Sequence, residues 1–214
     1  MIRRLQSIGP RRTGSGSAPP VYIVTQVSTA RISAFAFFAL AAACFVPTIA
    51  ATAAPMSHIR QAGWEAMCAR GDQPMNFCKA FSGPAQISYS ADLERILSDT
   101  NNLVNARYNF RSDQNAYGAS DYWSVPTGVT ADCEDYVLAK IQHLQNSGVS
   151  VSAMTIMVGQ LGNGRWHSVL GVQTDSGMVV LDSLRSGLTS AKAMGLRTAY
   201  TMAMNDSGNW QSVN

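Results

Sequence analysis

Thr130-Ala131-Asp132-Cys133-Glu134-Asp135-Tyr136 sets one thiol among three carboxylates, a crowding that packing alone does not call for. The same run opens an amphipathic segment. Val137, Ile141 and Leu144 recur at helical spacing and Asn146-Ser147-Gly148 supplies a stop, so the sequence predicts a helix from about Cys133 to Ser147. Asp132 is the expected N-cap, with Asp135 three residues on as a weak capping-box analogue. Cys133 then falls in the first turn, where unpaired backbone N–H groups and the helix dipole favour a thiolate.

Working outward, the period changes after this helix. Val151–Gln160, Trp166–Thr174 and Met178–Leu184 read as strands, separated by turns at Gly162-Asn163-Gly164 and Asp175-Ser176-Gly177. Upstream, Ser90 is a predicted N-cap for a helix over about 91–107 that buries Leu93, Ile96, Leu97, Val104 and Tyr108. Residues 54–88 read as irregular with one helical turn around Gln61–Cys68, and Asn109 to Thr130 as loop. A helix carrying the thiol, followed by an antiparallel meander, is an α+β arrangement.

The meander supplies partners for the thiol. With a two-residue loop at Asp175-Ser176, His167 faces Leu184 and has Asp182 as its diagonal neighbour on the same face. A one-residue change in loop length would move Asp182 to the opposite face. Leu170, Val172, Val179 and Leu181 make the other face apolar too, so hydrophobicity does not choose the register. If it holds, Cys133, His167 and Asp182 are a nucleophile, its base and the group that orients the base. His58 and His143 read as structural histidines.

Composition excludes one class of function. The chain has 16 Lys+Arg against 13 Asp+Glu, but five arginines (Arg3, Arg4, Arg11, Arg12 and Arg31) and no acid lie in residues 1–53. The remainder is slightly acidic, so the basic pI is no argument for nucleic acid. Residues 1–53 have the parts of a secretory presequence. Arg31 precedes an apolar run at 32–46, and Ala51-Thr52-Ala53 fits a small-x-small cleavage site before a domain at 54–214. An uncleaved anchor is the alternative, and Ala41 argues against lipidation at Cys44. Export leaves three cysteines in an oxidising compartment. Cys68 and Cys78, with Gly71 and Pro74 between them, suit a local disulfide, or else are two small buried thiols. No second Cys or His stands close enough to either for a zinc site.

The Asp132-Cys133-Glu134-Asp135-Tyr136 run, Asp121-Tyr122-Trp123-Ser124-Val125-Pro126 before it, and Trp166-His167-Ser168-Val169-Leu170 and Val180-Leu181-Asp182-Ser183-Leu184 after it resemble the bacterial transglutaminase-like cysteine peptidases, the LapG-type group. The resemblance spans about residues 60–205. It implies a papain-like, transglutaminase-like fold, with the nucleophile helix packed on an antiparallel sheet. It further implies a periplasmic thiol endopeptidase with Cys133 as nucleophile, His167 as base and Asp182 as third member. Calcium is implied at Asp132, Glu134 and Asp135, with Tyr136 as a backbone ligand; hard Ca²⁺ favours such oxygens. The other reading of these acids is as complements to the helix dipole. Implied partners are a protein substrate, such as a large surface adhesin, and an inner-membrane cyclic-di-GMP receptor. Trp123 would be an exposed tryptophan presented to that receptor, or else a core or pocket-wall aromatic.

The chemistry expected is acyl transfer to the Cys133 thiolate, with His167 moving the proton and the Cys133 N–H as one oxyanion donor. The same triad would serve a transglutaminase, an amidase or a cell-wall peptide hydrolase. A cleft without turnover would make the domain a binding module.

Overall fold

The computed structural model describes residues 56–213, with side chains from residue 62 onward. Residues 1–53, with the expected secretory presequence and Cys44, and the side chain of His58 lie outside the described residues. The first helix, α1 (Met56–Arg70), is longer than the single turn expected. Trp64 and Met67 lie three apart on its inner side and are buried, which anchors it although Gly63 lowers its intrinsic propensity. Cys68, near its end, is bonded to Cys78 with the Cα atoms 5.6 Å apart.

Helix α2 (Ala91–Arg107) starts where expected, with the Ser90 hydroxyl accepting the Leu93 N–H at 3.2 Å. The segment read as loop contains three short elements. These are β1 (Asn109–Phe110), α3 (Asp113–Tyr117) and β2 (Thr130–Ala131), with β1 parallel to β2. They are too short to leave a periodic signal. Strand β2 leads directly into α4 (Cys133–Asn146), whose Val137, Ile141 and Leu144 are fully buried. Asp132 occupies the N-cap position, but its side chain makes no cap hydrogen bond, contrary to expectation.

The meander follows: β3 (Met154–Gln160), β4 (Trp166–Thr174) and β5 (Gly177–Leu181). Strand β3 begins three residues late, because Val151–Ala153 form a 3₁₀ turn. Beyond residue 185, where no elements were foreseen, come β6 (Leu188–Thr189), α5 (Ala191–Met194), β7 (Arg197–Ala203) and β8 (Gln211–Ser212). Together they complete an antiparallel sheet of order β6-β5-β4-β3-β7-β8. β7 lies against β3 so closely that a Cβ on Gly159 would fall 2.3 Å from the Arg197 carbonyl oxygen.

The fold is α+β, with α4 packed on β4 and on α2. The main core joins Leu97 of α2 and Val137, Leu138, Ile141 and Leu144 of α4 to Ile156, Leu170, Val172 and Leu181 of the sheet. A smaller cluster of Met157, Val169, Val180, Met194 and Leu196 covers the other face. That second cover explains why the strands are apolar on both faces. Among the described residues no helix is long and apolar enough to cross a membrane.

Candidate active site

The β4–β5 hairpin has the register that the two-residue loop requires, with Thr174 opposite Gly177 and Leu170 opposite Leu181. Asp182 follows the last residue of β5 and is diagonal to His167 in β4. His167 Nε2 and Asp182 Oδ1 are 2.6 Å apart, and both side chains are almost fully buried. Asp182 Oδ1 also accepts the Leu184 N–H at 3.0 Å, and Arg185 Nε stands 3.7 Å from its Oδ2. Burial works against ionisation of Asp182. The His167 and Leu184 hydrogen bonds, with the charges of His167 and Lys140, outweigh it and hold the carboxyl below its ordinary range.

Cys133 is the first residue of α4, so its N–H is one of the helix donors without an intrahelical acceptor. It lies outside the disulfide and is partly exposed. Its thiol donates to Glu134 Oε2 at 2.9 Å. Cys133 and His167 line one cavity of about 330 Å³, with Phe110, Trp166, Ser183 and Leu184 among its walls. Because Nε2 is committed to Asp182, Nδ1 is the imidazole nitrogen left to exchange a proton with a group in that cavity.

A carboxylate cluster lies beside the thiol. Oxygens of Asp113, Asp132 and Asp135 lie within 4.8 Å of one another, as do those of Asp113, Asp121 and Glu134. Asp135 Oδ1 accepts from the Ser124 N–H at 2.9 Å and from its hydroxyl at 3.2 Å. Asp113 Oδ2 accepts the Tyr122 N–H, and Asp121 Oδ2 accepts Trp123 Nε1 at 3.0 Å. Among the described residues no Lys or Arg pairs with Asp113, Asp132 or Asp135. Oδ1 of Asp113 and Oδ1 of Asp132 are buried with no hydrogen-bond partner. Burial first, then neighbouring negative charge, pushes Asp113 up to about 6 and Asp132 to about 10. Burial likewise pushes Asp135 up to about 8, against its hydrogen bond from Ser124. Orphaned, mutually repelling carboxylate oxygens at this spacing are a donor set that fits a hard divalent cation.

Of the acids expected to act together, Asp132 and Asp135 fall in one set with Asp113, and Glu134 falls in the other with Asp113 and Asp121. Asp113 and Asp121, which join them, were not foreseen, because they lie 20 and 12 residues before Cys133 in a segment without periodicity. The Tyr136 hydroxyl donates to the Tyr108 carbonyl at 2.6 Å, and Tyr136 lies within α4, where a main-chain carbonyl faces the next helical turn and not the acids at the helix start. Trp123 requires a correction. It is 0% exposed, edge-on to Trp64 at 5.3 Å and to Trp210 at 5.9 Å, and is therefore a core aromatic and not a docking surface. Its indole N–H is satisfied internally by Asp121, which removes the polar handle an exposed tryptophan would offer. Lys140 was also unforeseen. It is buried in α4, and burial pushes it down to about 7 against the opposing pull of Asp182.

A cysteine at a helix start, sharing a cleft with a buried His–Asp pair on an antiparallel sheet, defines a papain-like class of site. The chain belongs to the bacterial transglutaminase-like cysteine proteinase family, whose model matches residues 50–214. It is similar to LapG of Legionella pneumophila in its calcium-bound form, with 26% identity over 51% of this chain and 65% of that one and a TM-score of 0.45. A second LapG structure from that organism gives 28% identity over 51% and 63%, with a TM-score of 0.45. The EGTA-treated form gives 24% identity over 57% and 68%, with a TM-score of 0.47. The chain spans just under two thirds of the calcium-bound relative it matches. Among curated proteins, none matches the chain.

Proposed function

We propose that this protein is a periplasmic thiol endopeptidase that uses Cys133, His167 and Asp182 and acts on an exported protein. The observation that carries the reading is the 2.6 Å bond between His167 Nε2 and Asp182 Oδ1 in a cleft shared with Cys133. Asp182 fixes the tautomer and orientation of the ring, so that Nδ1 takes the thiol proton. The thiolate then attacks the peptide carbonyl carbon. An S–C bond forms, the C–N bond breaks, and the imidazolium returns its proton to the leaving amine. Water, deprotonated by the same ring, hydrolyses the thioester. The Cys133 N–H is one donor to the oxyanion.

Asp113, Asp121, Asp132, Glu134 and Asp135 are the side chains that would hold calcium. A bound ion would neutralise the carboxylates that oppose a thiolate at Cys133. Export is supported by the Cys68–Cys78 disulfide, a bond that persists in oxidising compartments. A large surface adhesin as substrate and a cyclic-di-GMP receptor as sequestering partner follow from the sequence resemblance; any such docking surface lies elsewhere than Trp123.

The test is co-expression with a candidate adhesin, with and without EGTA. Cys133→Ala and chelation should each abolish processing. Continued processing by Cys133→Ala would refute the nucleophile assignment. Formation of isopeptide-linked product would instead favour acyl transfer.

A further inference from the structure

We propose that Asn105 is a positioning residue for the reaction, gripping the main chain of the turn that carries Asp182 and so fixing the His167–Asp182 pair. The inference rests on the thiol-peptidase reading above.

The turn at 182–187 leaves β5 without regular structure, yet it carries both the Asp182 carboxylate and the Ser183–Leu184 wall of the cleft. Its internal hydrogen bonds are few: Leu184 N–H to Asp182 Oδ1 at 3.0 Å and Arg185 N–H to the Asp182 carbonyl at 3.4 Å. Helix α2 supplies the rest through three asparagines. Asn105 Nδ2 donates to the carbonyls of Asp182 at 2.8 Å and Arg185 at 3.0 Å. Asn101 Nδ2 donates to the carbonyls of Arg185 at 2.9 Å and Gly187 at 2.8 Å. Asn102 Oδ1 accepts the Gly187 N–H at 3.0 Å.

Three asparagines in five residues are unfavourable for a helix, since each loses a few tenths of a kcal/mol against the best formers. What Asn101 and Asn105 provide is a primary amide with two N–H groups at a fixed short reach, which neither Asp nor Ser reproduces. Only Asn105 bonds Asp182 itself. The carbonyl it holds adjoins the Cα from which the carboxylate hangs, so tilting that peptide plane swings Oδ1 off His167 Nε2. Asn101 and Asn102 hold the far end of the turn. The side chains of Lys140 and Arg185, the cations near Asp182, act on its carboxylate and not on its main chain.

The experiment compares wild type, Asn105→Ala, Asn102→Ala and His167→Gln, all in calcium. It reads the downfield proton resonance of the His167–Asp182 hydrogen bond, assigned by its absence in His167→Gln, and the rate of Cys133 alkylation by iodoacetamide at neutral pH. Asn105→Ala should shift or broaden the resonance and slow alkylation about tenfold, the scale of one positioned hydrogen bond. Asn102→Ala should leave both unchanged, even if it lowers the melting temperature by as much. If Asn105→Ala does not fold, Asn105→Ser, which keeps one short donor, carries the same comparison. A wild-type resonance and an alkylation rate within twofold in the Asn105 variant would overturn the proposal. If wild type itself lacks the resonance and reacts like an ordinary thiol, the underlying peptidase reading fails instead.

Discussion

Adding one methyl group at Gly63 separates tertiary packing from helix propensity, because the two predict opposite signs. In a helix interior Ala is better than Gly by ~0.8–1.0 kcal/mol, so α1 alone predicts that Gly63→Ala stabilises. An ideal Cβ there falls 2.0 Å from Asp121 Oδ2, 2.7 Å from its Cγ and 2.9 Å from Trp123 Cδ1. Trp123 cannot yield, being fully buried against Trp64 and Trp210. Asp121 must swing away and release the Trp123 indole N–H, which it accepts at 3.0 Å. Stranding that donor costs about 1–3 kcal/mol, and residual overpacking about as much again. After the helix gain, the net is a destabilisation of about 3 kcal/mol, or roughly 6–12 °C in Tm for a domain of this size. Asp121 is also a candidate cation ligand, so calcium affinity should fall in the same variant. Calorimetric melts in EGTA and in calcium, with a calcium titration, measure both. A Tm increase of about 2 °C or more, the scale of the helix gain alone, with unchanged calcium affinity would refute the packing argument.

Asp113→Asn should weaken calcium binding by at least about tenfold in a titration while raising the Tm of the calcium-free protein, since it removes one of several repelling carboxylates. An unchanged calcium affinity would take Asp113 out of the site. The pH dependence of calcium-free stability has a definite sign. Asp113, Asp135 and Asp132 are raised from 3.8 to about 6, 8 and 10, so their contribution is complete below the unfolded carboxylate range. It is lost stepwise as pH rises through those folded values. The Tm difference between calcium and EGTA should therefore widen from acid to alkaline pH. A constant difference would contradict a cation at these acids. Reduction of Cys68–Cys78 should cost about 3 kcal/mol, the chain-entropy scale for a loop of this length. Melts with and without a reductant that leaves Cys133 reduced in both would show it, and no change would mean the bridge is energetically idle.

Much of this arrangement was legible because its signals are local. The Ser90 cap, the Val137-Ile141-Leu144 stripe and the Gly-marked turns each depend on a few adjacent residues, and the hairpin arithmetic needed only a loop length. What was not legible depends on distant partners. Asp113 and Asp121 enter the carboxylate cluster through the path of a non-periodic segment, and Asn105 reaches the Asp182 turn across 77 residues. The C-terminal strand β7 is half-buried along most of its length, so it lacks the alternation that would have marked it. The resemblance pointed to an exposed Trp123, with a core aromatic as the alternative, and only the packing of Trp64 and Trp210 against it decides for the core.

The proposed function stands or falls with activation of Cys133 by His167 and Asp182. The most direct measurement is the pH dependence of Cys133 alkylation in calcium, in wild type, His167→Gln and Asp182→Asn. Wild type should react well below the ordinary thiol pKa of about 8.5. Both variants should move the profile toward that value and slow the reaction at neutral pH. A wild-type profile centred near 8.5 and unmoved by either substitution would contradict the account.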